Sequence, residues 1–477
     1  MSKSTPKLSG NPQISYPNQT PTVHKTASIT NSAERREDFD KELKNELSSS
    51  LYIGVPGFAE AFFGGITDLQ PISEAVFKKC RQGNDALYKE EAGGWHGWPR
   101  HADEDDVLKW FHKITKDLLY LAESQGSPRT RMRIVRKPNK PVHNSVSKRK
   151  LDIGFVHQSK EGDYDWSRIL IPGELKSNSN EDTHQSTWLD LARYAREVFH
   201  AQDSRRFILG FTLCGSVMRL WEFDRLGGIA SSPFDINKDG LSFVSMILGC
   251  LFMDDEQLGF DPTITPRGEI RYITITPEGK PERLVIDSVI RRNYSVTGRG
   301  TVCWKTHREG DESKQPLVVK DSWQYPERDQ EGELLCESRR EGVVNVARYY
   351  HHEMVRVGGE KDDTVANNIR NGLEISKATN VHKMIAQQKE EAKKEAKKRE
   401  DLFRSLSRLS LASKDGNSAA DVSSLSKAAA PSPLDYDFLQ QDREHRRVVL
   451  LDYGKSIYNA GSRVALLAGL EGAIQGM

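Results

Sequence analysis

Residues 298–348 read GRGTVCWKTHREGDESKQPLVVKDSWQYPERDQEGELLCESRREGVVNVAR, and the reading of this stretch decides the fold. Gly298 and Gly300 stand one residue apart, followed by strand-like runs at Thr301 to Lys305 and Leu317 to Lys320 and a helix-prone run near Glu327 to Arg340. Glycine at such positions lets backbone amides approach a phosphate, because a Cβ would hold the chain away. Alternation in Leu317-Val318-Val319-Lys320 sends the Lys320 ammonium to one face of its strand, where a carboxylate on the next helix can hold it for the phosphates of a nucleotide. Glu331 is the expected partner and Glu333 the alternative. Leu334 and Leu335, on the adjoining face of that helix, are expected to anchor it to the sheet. Taken singly these features are common: a Val-Val-Lys strand end is ordinarily an edge strand with a solvated lysine.

Outward from this stretch, short strands are expected at Tyr272 to Thr276 and Arg283 to Asp287, and the region from 266 to 477 reads as one unit. Inside it QQKEEAKKEAKKR is helix-prone without an apolar face and opens a solvated charged and Ser/Ala-rich insert at about 386–434. Val464, Leu467, Leu470 and Ile474 then recur at helical spacing between Ser462 and Ile474. Upstream, residues 34–265 alternate helix and strand. Val107, Phe111, Ile114, Leu118 and Leu121 mark one face of a helix over Glu104 to Glu123. Strands follow at Arg131 to Arg136, Leu151 to His157 and Arg168 to Lys176, a helix at Gln185 to His200, strands at Phe207 to Leu213 and Val217 to Phe223, and a helix at Leu241 to Phe252. Residues 1–33 are rich in Ser, Thr, Pro and Asn and are expected to be disordered.

Hydrophobic residues make up 36% of the 477, enough for real cores, and 69 basic against 68 acidic residues leave no global field for a polyanion. The five cysteines are scattered without a C-x-x-C pair, which excludes a zinc or redox spacing and suits a reducing cytoplasmic or nuclear compartment. No apolar run reaches the about 20 residues that cross a bilayer, so no membrane partner is expected. Nor is a nucleic-acid partner, since no basic groove interleaved with aromatics is evident. The histidines lack metal-ligand spacing; His351-His352-Glu353 is contiguous and cannot chelate from one helical face.

Taken together, IPGELKSN at 171–178, GRGTVCW at 298–304, VVKDSWQ at 318–324, EGELL at 331–335 and HRRVVLLDYGKSIYNAGSRVALLAGLEGAIQG at 445–476 resemble the fungal-type protein kinase family. The resemblance implies an α+β fold: a protein-kinase-like N-terminal lobe, preceded by an α/β domain. It implies ATP with Mg2+, phosphotransfer to protein Ser/Thr, and a protein substrate. In that pattern Lys320 matches the nucleotide-binding lysine, Glu331 its helix partner, and Gly298 and Gly300 the phosphate-covering loop, with Cys303 where many kinases have a third glycine. The family continues into an H-R-D catalytic loop and D-F-G, and neither occurs before Met477. Asp452-Tyr453-Gly454 lies in the expected hinge, and His445-Arg446-Arg447 lacks the aspartate. The chain as written is therefore expected to be inactive in transfer, and a pseudokinase or interaction module is the alternative.

The upstream domain carries its own constellation. Asp152 lies on one strand, and Glu174 and Lys176 share a face of the next. With the order helix, three strands, helix, strand, this resembles the PD-(D/E)xK pattern of restriction-nuclease-like folds, in which the two carboxylates hold a divalent metal and the lysine steadies the attacking water. A metal-dependent nuclease is thus a further alternative. Against it, Glu-x-Lys on a strand is often a plain ion pair, and Gly173 lacks bulk to shield a metal.

Overall fold

The computed structural model describes residues 40–127, 130, 132–136, 142, 150–157, 165–359, 361–411, 442–454 and 461–475. The disorder expected of residues 1–33 and the part of the insert beyond 411 lie outside the described residues.

The first unit runs α1 (40–46), β1 (Leu51–Ile53), α2 (Phe58–Phe63), α3 (Leu69–Cys80), a small hairpin of β2 (Tyr88–Lys89) and β3 (Gly94–Trp95), and α4 (Glu104–Glu123). It continues through β4 (Met132–Arg136), β5 (Ile153–His157), β6 (Ile169–Lys176), α5 (Gln185–Ala201), β7 (Ile208–Cys214), β8 (Val217–Phe223), β9 (Gly228–Ala230), β10 (Phe234–Asp235) and α6 (Gly240–Phe252). Helix α4 forms where its apolar stripe predicts, burying Val107, Phe111, Ile114 and Leu118, and Glu104, Asp105 and Asp106 favour its N-terminal dipole. The main sheet is ordered β1-β9-β8-β7-β6-β5-β4. Strands β6 and β7 are parallel, as the α5 crossover between them requires, while β4, β5 and β6 are antiparallel. Helices α2, α3, α4 and α6 cover one face, and α5 with Trp166, Trp188 and Trp221 covers the other. β6 is therefore buried on both sides along ILIPGEL, as a central strand with both faces covered should be. Gly173 in β6 is required by packing: a Cβ there would lie 2.4 Å from the Phe211 ring, which fills the space the glycine leaves.

The second unit comprises β11 (Ile264–Arg267), β12 (Ile270–Ile275), β13 (Glu282–Arg292), β14 (Val302–Arg308), β15 (Leu317–Gln324), α7 (Glu331–Arg340) and β16 (Tyr349–Met354). An insertion carrying β17 (Thr379–Asn380) and α8 (Val381–Leu411) follows, then β18 (Glu444–Leu450) and α9 (Arg463–Gln475). The sheet is antiparallel in the order β11-β12-β13-β14-β15-β18-β16. Helix α7 starts at Glu331 rather than near Glu327, because a turn closed by the Arg328 amide on the Tyr325 carbonyl precedes it. Gly332 rather than Leu334 anchors it: a Cβ on Gly332 would sit 2.2 Å from the His352 side chain, whereas Leu334 is 49% exposed. In α9, Val464, Leu467 and Leu470 lie on an exposed face. No helix among the described residues is long and apolar enough to cross a membrane.

The two units interlock. The segment between β16 and β18 leaves the second sheet, buries Val365 and Ile369 in the first unit's core, and adds β17 antiparallel to β1. A cut at 265/266 therefore does not separate the units, and α8 begins at Val381, before the insert boundary expected at about 386.

Buried charge stitches the same seam. Arg370 donates to both oxygens of Asp224 at 2.6 and 3.0 Å. Arg206 donates to Asp363 at 2.9 Å, and His445 lies 3.1 Å from Asp363 and 3.3 Å from Asp321. Arg447 donates to both oxygens of Asp321 at 2.8 Å and reaches Asp261 at 3.3 Å. Removing one member leaves a buried charge without its counter-ion, so Arg447→Ala should lower unfolding free energy by roughly 3–5 kcal/mol in urea titrations. Burial alone would lower the His445 pKa, but its bonds to Asp321 and Asp363 outweigh it and raise the value to about 9. A folded-state pKa above the unfolded one means stability fully present below about pH 6.5 and lost as pH rises through about 9. Thermal melts should show that decline, worth roughly 3 kcal/mol, and His445→Asn should flatten it.

Candidate functional site

Strand β15 has two chemically distinct faces. Leu317, Val319, Asp321 and Trp323 point into the protein, Asp321 opposite Arg447 and Trp323 stacked on His445 at 4.6 Å between ring centres. Lys320 takes the alternate face, half-buried, and donates to Glu331 Oε1 at 2.7 Å and Oε2 at 2.5 Å. Glu331 is the first residue of α7, so the β15–α7 turn sets the pair's geometry. Glu333 does not pair with Lys320; its charge lies instead near His352. With side chains 25% and 35% exposed, the Lys320–Glu331 pair adds little stability, and its effect is to orient the ammonium.

Gly298 and Gly300 lie in the loop between β13 and β14, both with positive φ, at +93° and +49°. The loop is stitched to β15 by the Trp323 amide, which donates to the Arg299 carbonyl at 2.8 Å. Cys303 is not a loop residue: it belongs to β14, directly opposite Lys320 in register, and burial raises its thiol pKa. Asp452 holds the start of β16, accepting from the Arg348 amide at 2.7 Å and from its guanidinium at 2.7 and 2.9 Å. The carboxylates of Asp261 and Asp321 and the His445 ring bring ligand-type atoms within 4.8 Å of one another, but the Arg447 guanidinium already neutralises both acids.

In the first unit the structure gathers Asp152, Glu174 and Lys176 at the ends of β5 and β6. Asp152 accepts the Leu175 amide at 3.3 Å, and Lys176 donates to Glu174 Oε1 at 2.5 Å and to Asp190 at 3.0 Å. Glu174 is 3% exposed, its Oε2 receives no hydrogen-bond donor among the described residues, and the Tyr194 hydroxyl lies beside the same carboxyl group. Burial, then the charges of Asp152 and Asp190, push its pKa well above the carboxylate range. Asp152 is raised by burial and by Glu104. Burial works against the Lys176 ammonium, but Glu174 and Asp190 outweigh it and hold it protonated. Three residues of this cluster escaped the sequence reading. Asp190 and Tyr194 come from α5 and Glu104 from the start of α4. The i, i+4 spacing of Asp190 and Tyr194 on a helix just past β6 was the available signal.

The described geometry thus places a partly buried lysine–carboxylate centre in each unit. No curated protein and no solved structure matches the chain. The sequence model of one family, described as fungal protein kinase, matches residues 150–477, which takes in Asp152, Glu174, Lys176, Lys320 and Glu331 and more than half of the chain. The chain belongs to the fungal protein kinase family.

Proposed function

We propose that residues 264–475 form a nucleotide-binding lobe in which Lys320, oriented by Glu331, engages the α- and β-phosphates of ATP. The observation that carries this is the Lys320–Glu331 pair on a strand flanked by the hairpin of Gly298 and Gly300. Protein kinases as a class pair a strand lysine with a helix glutamate beneath a glycine-rich loop, and they use a divalent metal with ATP. When bound, the metal would neutralise charge on the transferring phosphoryl group. The family's metal-binding D-F-G aspartate and its catalytic-loop base are not among these 477 residues. The proposal for them is therefore nucleotide binding, and transfer to a protein Ser/Thr hydroxyl is proposed for the lobe acting together with such groups. Titration calorimetry with a non-hydrolysable ATP analogue should give a saturable isotherm, weakened at least tenfold by Lys320→Met and several-fold by Glu331→Gln. Unchanged affinity in Lys320→Met would sink this reading and leave the lobe as an interaction module.

A second reading rests on the first unit. Two carboxylates that meet, one with an oxygen that has no donor among the described residues, call for a proton or a cation. The run α4-β4-β5-β6-α5-β7, with β6 parallel to β7, supports a restriction-nuclease-like topology for this unit. We propose Asp152 and Glu174 as ligands for a divalent cation, with Lys176 beside them to steady a phosphate or an attacking water. Mn2+ titration monitored by calorimetry should detect binding that Asp152→Asn and Glu174→Gln each weaken at least tenfold. Equal affinity in the variants would reduce the cluster to a structural ion pair.

A further inference from the structure

The loop bearing Gly298 and Gly300 is not a free hairpin, because the first unit holds it through α1 and the turn after β8. The Thr297 amide and hydroxyl both donate to Glu46 Oε1 of α1, the hydroxyl at 3.1 Å. The Gly298 amide donates to the Arg225 carbonyl at 2.9 Å. Arg225 Nη1 donates in turn to the carbonyls of Ser295 and Val296 at 2.8 and 3.0 Å. The Val296 side chain is fully buried in the first unit's core, in the cluster that holds Leu43, Leu47 and Phe199. The open face of Gly300 is also taken: a Cβ there would lie 2.4 Å from Arg225 Nε. The guanidinium that fills this space is itself pinned 3.9 Å over the Phe199 ring.

A glycine-rich loop recognises phosphate with its backbone amides and with faces that no side chain obstructs. Here two successive amides and one glycine face are already committed to groups of the first unit. The acceptor on Thr297 is a carboxyl oxygen, the kind of acceptor that a phosphate oxygen would present. Lys320 and Glu331, by contrast, hydrogen-bond to each other across a half-exposed face and to no group of the first unit among the described residues.

We propose that the first unit is an internal inhibitor of the nucleotide site. Glu46 stands in for a phosphate oxygen at the Thr297 amide, Arg225 fills the open face of Gly300, and Val296 locks the loop down. Nucleotide binds fully only when the loop leaves this dock. The proposal rests on the nucleotide-binding reading of Lys320 given above. It also states what that site is regulated by: displacement of α1 and of the turn that carries Arg225.

The test uses the full chain and a non-hydrolysable ATP analogue with Mg2+. Glu46→Ala and Val296→Ser, each checked for folding by its thermal melt, should bind the analogue at least tenfold more tightly than the unmodified chain. Adding Lys320→Met to either should abolish that gain. Hydrogen exchange on the unmodified chain gives a readout that does not depend on how the variants fold. Saturating nucleotide should speed exchange at least tenfold at residues 40–47 and 295–298. If the analogue binds in a Lys320-dependent way while those segments stay equally or better protected, the inhibitor proposal is overturned and the nucleotide reading stands. If folded variants bind no tighter than the unmodified chain, it is likewise overturned. Absence of binding in the unmodified chain and in a folded loop-releasing variant overturns both.

Discussion

The pairing of Arg447 with Asp321 is the constraint on which the second unit is built. Both groups are buried, and a charge taken out of water must find its counter-ion or cost several kcal/mol. The pair lies across β15 and β18, strands separated in sequence by the whole insertion, so its formation sets the register between them. Through His445 and Asp363 it reaches Arg206 of the first unit, and through Asp261 it reaches the junction between the units. With Asp321 fixed on the inner face of β15, strand alternation leaves Lys320 on the outer face beside α7. The geometry of the candidate nucleotide site thus follows from a network that contains none of its residues.

The two lysine–carboxylate centres differ in how their charge is met. Lys320 has one carboxylate at a half-exposed position, an arrangement that orients without storing much energy. Lys176 serves two carboxylates, and a third and fourth acid stand close by. That excess of buried acid raises the proton affinity of Glu174, so the first centre carries an electrostatic demand that the second lacks.

Features coded by neighbours along the chain were legible before the structure. The stripe of α4 and the apolar, aromatic-rich run of β8 give their full ranges, and Lys320 and Glu331 could be matched because a strand, a turn and a helix N-terminus set their separation. What depended on distant segments was not legible. Thr379 and Asn380 show no strand pattern, yet they pair with β1 because the insertion is delivered to that edge by Val365, Ile369 and Arg370. The elements before residue 96 are mostly short, so periodicity had little length to register. Leu334 reads as an anchor by spacing and is exposed, because Gly332 brings the α7 backbone against His352 too closely for the next turn to face the sheet. Contacts from α1 and the turn after β8 to the glycine loop join residues some 70 to 250 positions apart, which no local pattern encodes.

The β17–β1 pairing also bears on how the molecule is made. Synthesis proceeds from the N-terminus, and domains commonly collapse as they emerge from the ribosome. Here the first sheet's β1 edge has no partner until residue 380 has been polymerised, long after its central strands are complete. Until then the edge presents unpaired amides and carbonyls, the template through which nascent strands associate wrongly. The insertion therefore ties the completion of the first unit's sheet to the synthesis of a segment that follows most of the second unit's strands.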